Sequence, residues 1–392
     1  MLQKFFTFSV FFLSGAALLF SEEPPLRPTS LPLSSVGKSP YVVRVGLAHD
    51  KTQISVAAVN TFRLKGPDGS VLKSGVGGFE ARVLAMPTGI QVGSETFSID
   101  SLDVEVERGS VQIGKKSYRG MVRIFKKNGL HLTAVNHIDL ETYLKGVLPL
   151  EVSASWPIEA LKAHAVASRT FALFKSVEKR NEDFDLFDSV KAQVYGGSSF
   201  HKEETDRAVD ETRSEVLICQ GGLFPAFFHA NSGGQTTTVE SVWKNLAPHP
   251  ALQSVQDPYS LGVKHDRWVL ELPLLSIERV MHKQGYPAQN LKNISFLGQD
   301  ESGRIQTVVL EYRLSTLKLS APDFREFLGY NHFKSLKVAI QVKNGTAIFK
   351  GFGWGHGIGL SQWGAKAMAE SGKTFQEILQ FYFPGSELRI IS

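Results

Sequence analysis

Residues Trp156–Lys175 read WPIEALKAHAVASRTFALFK, and this stretch decides the fold class. Pro157 suits the first position of a helix, where its missing N–H is not needed, and Glu159 lies near the positive end of the helix dipole. From Ala160 onward, small and apolar residues occupy several faces of the predicted helix, which indicates burial on more than one side. The sequence therefore predicts a buried central helix around which a domain packs.

The chain before this helix has the pattern of a β-rich domain. Short alternating apolar runs are separated by turns at Gly66-Pro67-Asp68-Gly69 and Pro87-Thr88-Gly89. Six runs predict strands, at Val42–Leu47, Ile54–Val56, Ile90–Val92, Leu102–Val106, Val111–Ile113 and Val122–Ile124. We identify no chemistry in this part of the chain.

The chain after the central helix mixes helix and strand patterns. Predicted helices cover Lys202–Arg213, Asp323–Leu328, Leu360–Glu370 and a segment that starts at the capping box Thr374–Glu377, and predicted strands cover Val216–Ile218, Ile294–Leu297, Thr307–Tyr312 and Val338–Val342. The predicted class is α+β. Its parts are a β-rich N-terminal domain (41–134), a mixed core domain (135–263), a smaller α+β lobe (264–349), and a C-terminal Gly/His loop with helices that completes the core domain (350–392).

The N-terminus has the pattern of an export signal. Lys4 is the one charge in residues 1–21, and the apolar run Phe5–Phe20 is short for a membrane span but suits a signal-peptide core. Ser21 is an acceptable cleavage residue but Leu19 fits poorly at the −3 position, so an uncleaved anchor stays an alternative. Residues 22–40 contain five prolines and predict a tether. We expect an exported protein of the periplasm or cell envelope, either released or held by this N-terminal segment.

Composition excludes some classes of function. The 43 basic and 38 acidic residues give a formal charge of +5, which argues against a dedicated nucleic-acid binder. The single cysteine, Cys219, allows no internal disulfide and no thiolate metal site, and its apolar surroundings favour a buried structural thiol.

Glu151 is the sharpest candidate for chemistry. It stands between Val147-Leu148-Pro149-Leu150 and Val152, at the boundary of an element. Desolvation in such surroundings raises a carboxyl pKa and keeps the acid protonated, as transfer of a proton to a glycosidic oxygen requires. The alternative is a surface glutamate in a loop.

Two residues of the central helix allow two interpretations each. Arg169 lies among small residues, where its side chain needs a partner, so it is either in a buried salt bridge or a clamp on a substrate carboxylate. His164 is either a surface or core residue or a ligand.

Two glycine-rich segments complete the set of candidates. Asn231–Thr236 is a polar turn in which adjacent glycines allow close backbone approach. Gly351–Ala365 alternates glycines with aromatic residues and carries His356, then Ser361 and Gln362 at a helix start. Aromatic faces and amide groups suit sugar rings. The alternative is a tightly packed turn in which His356 is hydrogen-bonded internally.

Three blocks of the sequence, in order, resemble the stage II sporulation protein D family. They are Gly146–Glu151 with Trp156–Ala163 and Ala167–Ala172, the turn Ser232-Gly233-Gly234, and the loop Gly355–Ala365. The resemblance extends from about Val135 to the C-terminus. It is specific, because three unrelated blocks occur in the family's order.

The resemblance implies a lytic transglycosylase of peptidoglycan glycan strands, preferably strands whose stem peptides an N-acetylmuramoyl-L-alanine amidase has removed. The family's catalytic acid/base maps onto Glu151, and the products would carry 1,6-anhydromuramyl ends. We expect substrate to be bound by Arg169, Gln193, Tyr195, Ser232, Gly233, His356, Ser361 and Gln362. The alternatives are a non-catalytic glycan-binding scaffold and an amidase activator of the same fold.

One segment differs from the family pattern. Many members carry Cys-x-x-x-His-Cys-Gln-x-Tyr, linked to a bound metal, where this chain has Phe187–Tyr195. Gln193 and Tyr195 are kept, but both cysteines and the histidine are replaced. We therefore expect no zinc and no other cofactor, with packing by Phe187 in place of the metal.

Overall fold

The computed structural model describes residues 29–37, 40–189, 192–286 and 289–391. The predicted signal peptide or anchor (1–21) and residues 22–28 of the predicted tether lie outside the described residues. Within the described ranges, no helix has both the length and the hydropathy needed to cross a membrane. The predicted α+β class is confirmed.

The described end of the predicted tether is part of the fold. β1 (Leu31–Pro32) pairs with Gly222–Leu223, and the Thr29 hydroxyl donates to the carbonyl oxygen of Ala247 at 2.9 Å. β1 is an edge strand, where a proline is tolerated because no N–H is needed on the outer side. Residues 29–37 therefore lie against the core, and the prediction of a tether as far as residue 40 is wrong for this part.

Two antiparallel sheets enclose one apolar core in the N-terminal part. Their strands are β2 (Val42–Lys51), β3 (Gln53–Ala58), β4 (Phe62–Lys65), β5 (Val71–Gly75), β6 (Phe79–Met86), β7 (Gly89–Val92), β8 (Glu95–Phe97), β9 (Ser101–Val106), β10 (Val111–Ile113), β11 (Lys116–Tyr118), β12 (Met121–Lys127) and β13 (His131–Asp139). One sheet has the order β11-β10-β3-β6-β7-β8, and the other contains β2-β13-β12-β9-β4-β5. Alternate side chains, such as Val122 and Ile124, point into the core and are fully buried.

The β-rich part continues into the helical part without a break. β14 (Leu186–Phe187) adds a parallel strand beside β2, and Arg44 of β2 makes a two-pronged ion pair with Asp185. The predicted boundary between residues 134 and 135 falls inside β13, which leads directly into the first helix.

The helical core is built on the predicted central helix. Its elements are α1 (Leu140–Glu151), α2 (Ile158–Glu178), α3 (Glu203–Glu211), β15 (Glu215–Cys219) and β16 (Gly222–Leu223). α2 is buried from Ala160 to Phe174 except at Lys162, and Cys219 is buried, as predicted. Helix α1 was not predicted, because Gly146 and Pro149 interrupt its pattern. Gly146 is needed there, since a Cβ would lie 2.6 Å from the Tyr195 ring.

The remaining chain forms the lobe and then returns to α2. The elements are β17 (Phe228–His229), α4 (Val239–Val242), β18 (Arg267–Pro273), α5 (Leu274–Lys283), β19 (Leu291–Gln299), β20 (Ile305–Tyr312), β21 (Thr316–Ser320), α6 (Ala321–Leu328), β22 (Val338–Lys343), β23 (Thr346–Phe352), β24 (Leu360–Ser361), α7 (Gln362–Glu370), α8 (Phe375–Tyr382) and β25 (Ser386–Ile390). The lobe holds the sheets β18-β23-β22 and β19-β20-β21. β24 pairs with β17, β25 pairs with β15, and α7 and α8 pack on α2. The predicted capping box of Thr374 and Glu377 begins α8.

Candidate active site

Glu151 is the last residue of α1, and its carboxyl group lies in a largely closed environment. Oε1 accepts a hydrogen bond from the backbone N–H of Val194 at 2.8 Å, and Nε2 of Gln362 donates to the Glu151 carbonyl oxygen at 3.4 Å. Burial raises the pKa of Glu151, an effect that the Val194 N–H and the Gln362 side chain oppose but do not cancel. The residue is still partly exposed. Glu151 is thus a partly exposed residue whose carboxyl group holds its proton more tightly than that of an ordinary glutamate.

Gln193 and Tyr195 hold the irregular segment that carries the Val194 N–H. The Tyr143 hydroxyl donates to Gln193 Oε1 at 3.1 Å, and the Tyr195 hydroxyl donates to the side-chain oxygen of Asn136 at 3.0 Å. Gln193 is 0% and Tyr195 1% exposed. The structure therefore corrects the prediction that these side chains touch substrate, because both are enclosed and orient Val194 from behind.

Arg169 forms the buried salt bridge that was one of its two interpretations. Its Nε and Nη2 bind the two carboxylate oxygens of Glu141 at 3.0 and 2.8 Å, and Nη1 donates to the carbonyl oxygen of Glu215 at 3.1 Å. The side chain is fully buried. The predicted clamp on a substrate carboxylate is therefore incorrect for this conformation, because the guanidinium has no surface left for a ligand.

Ser232, Ser361 and the unpredicted Asp257 form a buried cluster behind Gln362. The Ser361 hydroxyl accepts from a backbone N–H in the first turn of α7 and from the Ser232 N–H, each at 3.3 Å. The Ser232 hydroxyl donates to Asp257 at 2.7 Å, and burial raises the pKa of that carboxyl. Both serines are fully buried, so they position the start of α7 instead of touching substrate. Asp257 was missed because Asp257-Pro258 is typical of an ordinary turn.

His356 and Gly233 shape the two glycine-rich segments. Nδ1 of His356 accepts from the Ile358 N–H at 3.0 Å, and burial lowers the pKa of His356 to about 3. A Cβ on Gly233, whose φ is 69°, would lie 2.7 Å from the carbonyl carbon of Phe352. These are the features of a tightly packed turn, and the described contacts do not join either residue to Glu151. Gly233 is buried, which gives it a role in loop geometry, whereas His356 is partly exposed and its predicted role in substrate binding stays a prediction.

Partly exposed aromatic rings form a row that includes Trp363, the neighbour of Gln362 in the sequence. The Trp156 and Trp363 rings have centroids 5.0 Å apart, and Trp363 is the second residue of α7. His265 continues the row, 5.9 Å from Trp363 and 4.6 Å from Trp354. We call these four side chains the aromatic row. The sequence indicated the two tryptophans of the Gly351–Ala365 loop, whereas Trp156 and His265 join them only through the fold.

Aromatic packing holds the segment that differs from the family's metal-linked pattern. The Phe187 ring lies 5.0 Å from that of Phe184 and 5.5 Å from that of His49. Residues 190–191 lie outside the description. Nowhere in the described ranges do three His, Cys, Asp or Glu side chains group in a way that could hold a metal ion. Phe187 and Ala192, which replace the two cysteines, have no ligand atoms in their side chains and do not fit zinc.

The chain is similar in sequence to a family model and to several known proteins. The sequence model described as stage II sporulation protein (SpoIID) matches residues 128–219. An uncharacterized protein of Brachyspira hyodysenteriae is 32% identical over 66% of this chain and 68% of its own length. The stage II sporulation protein D of Bacillus amyloliquefaciens is 29% identical over 65% of this chain and 75% of its own length. The amidase enhancer of Bacillus subtilis is 30% identical over 62% of this chain, and the match covers 40% of its length.

Proposed function

The chain belongs to the stage II sporulation protein D family, and from this premise we propose that it is a cell-wall protein that cleaves peptidoglycan glycan strands as a lytic transglycosylase. The observation that carries the proposal is Glu151, a partly exposed residue whose carboxyl pKa is raised by burial and whose backbone carbonyl contacts Gln362, the sequence neighbour of Trp363 in the aromatic row. Proton donation to a leaving oxygen needs such an acid. The rings offer apolar faces for the sugars that flank the cleaved bond.

The reaction requires one carboxyl group. The Glu151 proton moves to the glycosidic oxygen as the bond between that oxygen and the anomeric carbon breaks. The 6-hydroxyl oxygen of the same sugar then bonds to the anomeric carbon, and its proton moves to the Glu151 carboxylate. The sugar ends as a 1,6-anhydromuramyl residue, and the acid is restored without a water molecule.

The backbone N–H of Val194 supports the second half of this cycle. Its hydrogen bond to Oε1 stabilises the carboxylate that forms when the proton leaves. The position of Glu151 at the C-terminal end of α1 has the opposite effect, because the helix dipole disfavours negative charge there. One contact stabilises the Glu151 carboxylate and the helix dipole destabilises it. This balance suits a group that must both give and accept a proton.

We further propose an exported location, in the periplasm or cell envelope, because the substrate lies there. Peptide-stripped strands, made by an N-acetylmuramoyl-L-alanine amidase, are the preferred substrate in this proposal. Stimulation of such an amidase is a second candidate function, favoured by the 30% identity to the amidase enhancer. A scaffold that binds glycan without turnover would use the same aromatic row.

The test is product analysis with purified protein and peptide-stripped glycan strands. We expect mass spectrometry to detect 1,6-anhydromuramyl ends with wild-type protein and none with Glu151→Gln. Glu240→Gln, at an exposed glutamate of α4, is the matched control and should cleave like wild type. Absence of products with wild type, or equal amounts with Glu151→Gln, would exclude the transglycosylase proposal. Stimulation of an added amidase by both proteins would then favour the second function.

A further inference from the structure

Two lysine ammonium groups lie on the aromatic row. Nζ of Lys264 is 5.5 Å from the centroid of the Trp363 ring, and Nζ of Lys334 is 4.7 Å from that of Trp354. Lys264 is exposed and Lys334 partly exposed. Within the part of the chain that the structure describes, neither ammonium group has a carboxylate partner.

The neighbouring charges leave these two cations available. Asp266, the carboxylate nearest to Lys264 in sequence, accepts from the Gly262 N–H at 2.9 Å and lies 3.8 Å from the Arg267 guanidinium. Lys366 also lies 5.5 Å from the Trp363 ring, but it is paired with Glu370. The row therefore carries two uncompensated positive charges and one compensated charge.

The backbone of both lysines is fixed to the loops that carry the rings. The Lys264 carbonyl oxygen accepts from the side-chain amide of Asn231 at 3.2 Å. The Lys334 carbonyl oxygen accepts from the Gly355 N–H at 2.9 Å and from Arg325 at 2.9 Å. The backbone of each lysine is therefore held beside the ring that its ammonium group overlies.

Apolar ring faces with cations above them match a sugar that carries a carboxylate. In a peptidoglycan glycan, every second sugar bears a lactyl ether, and its carboxyl group is charged only when no stem peptide is attached. We propose that Lys264 and Lys334 are specificity-determining residues that bind lactyl carboxylates of peptide-stripped strands. The inference rests on the proposed function for its ligand and assigns to these two side chains the preference for stripped strands.

The test measures binding in the Glu151→Gln background, so that no strand is cut. The ligands are peptide-stripped glycan fragments and the same fragments with every lactyl carboxyl converted to a neutral methylamide. We expect tighter binding of the charged fragments, with a difference that shrinks as salt is added. Lys264→Gln and Lys334→Gln should each weaken binding of the charged fragments about threefold and leave the methylamide fragments unaffected. Lys366→Gln, on the same ring but already paired, should change neither.

Each other outcome has a defined meaning. Equal weakening of both ligands by the lysine variants would overturn the inference, since the lysines would then act through packing. Competition by a phosphate-bearing wall polymer at the same concentration as the charged glycan would also overturn it, because the site would read charge alone. A protein that discriminates the ligands but forms no anhydro products would contradict the proposed reaction and leave the inference standing. A protein that forms anhydro products but binds the charged and methylamide fragments equally would support the proposed reaction and overturn the inference.

Discussion

The side-chain amide of Gln362 donates a hydrogen bond to the backbone carbonyl oxygen of Glu151 across a separation of 211 residues. Glu151 ends α1 and Gln362 begins α7, so the negative end of one helix dipole meets the positive end of another. Through this contact the C-terminal loop completes the site that the first block of the sequence begins.

Replacement of Gln362 by leucine should change the pH dependence of cleavage. The Gln362 side chain lowers the pKa of Glu151 against the larger effect of burial, so its removal should raise that pKa further. Only the protonated acid can donate, so kcat/KM falls as pH rises through the Glu151 pKa. The alkaline limb of the kcat/KM profile should therefore move to higher pH in Gln362→Leu.

Gln235→Leu is the control for that experiment. Gln235 donates to the Ser254 hydroxyl at 3.0 Å and has no described contact with Glu151. The alkaline limb of the kcat/KM profile of Gln235→Leu should coincide with that of wild type. A limb that stays in place in Gln362→Leu, or that moves to lower pH, would contradict the assignment of Glu151 as the proton donor.

Arg169→Met should destabilise the protein by about 3 kcal/mol or more, because it leaves the Glu141 carboxylate nearly buried without its partner. The free energy of unfolding in urea measures this loss. Adding Glu141→Leu should recover part of it. Lys145→Met removes a more exposed ion pair, with Asp210, and should cost less than about 1 kcal/mol. If Arg169→Met left stability intact and weakened glycan binding, a substrate clamp would be the better interpretation.

Regular hydrophobic periods made most elements predictable from the sequence. The alternation in β12 and the small, apolar faces of α2 each report burial directly. Helix α1 was missed because its glycine and proline are not typical of a helix, and tertiary contacts explain the glycine. The Tyr195 ring packs where a side chain at position 146 would be. The docking of Leu31–Pro32 depends on a partner strand far along the chain, which no local pattern reveals.

The motifs of the candidate site were predictable from the sequence. The role of each residue within the site was not. Polar side chains such as Arg169, Gln193 and Ser232 have the same appearance in sequence whether they contact a ligand or satisfy buried groups. Their partners decide the matter, and the carboxylate that binds Arg169 lies 28 residues away. Trp156 and His265 became candidates only when the fold placed them beside Trp363.

His164→Met should make stability less dependent on pH in acid. His164 is fully buried, neither ring nitrogen has a hydrogen-bond partner among the described residues, and burial lowers its pKa from 6.5 to about 3. Between these values the unfolded chain binds a proton and the folded protein does not. The free energy of unfolding therefore falls as pH falls, by at most about 1.4 kcal/mol per pH unit for this histidine.

The measurement is urea unfolding of both proteins across the same pH window. The free energy of unfolding should change less steeply with pH in His164→Met than in wild type. The difference in slope is the contribution of one histidine. His332→Met, at an exposed position, should keep the wild-type slope. Identical slopes in all three proteins would show that His164 is not held neutral by the fold.

Gly357→Ala and Gly372→Ala separate backbone strain from steric conflict. Both glycines have φ of 88°, so alanine at either position should cost about 1 to 2 kcal/mol for the left-handed conformation. A Cβ at Gly357 would lie 2.3 Å from the Arg304 guanidinium, whereas at Gly372 no atom lies within 4 Å. We expect Gly357→Ala to lose about 1 to 3 kcal/mol more than Gly372→Ala in urea unfolding, as overpacking requires.

Arg304 also donates to the Ser232 carbonyl oxygen at 2.8 Å, behind Gln362, so its displacement should lower kcat in Gly357→Ala alone. Equal losses of stability and activity in the two variants would mean that the guanidinium moves aside freely and that Arg304 does not hold the Ser232 turn in place.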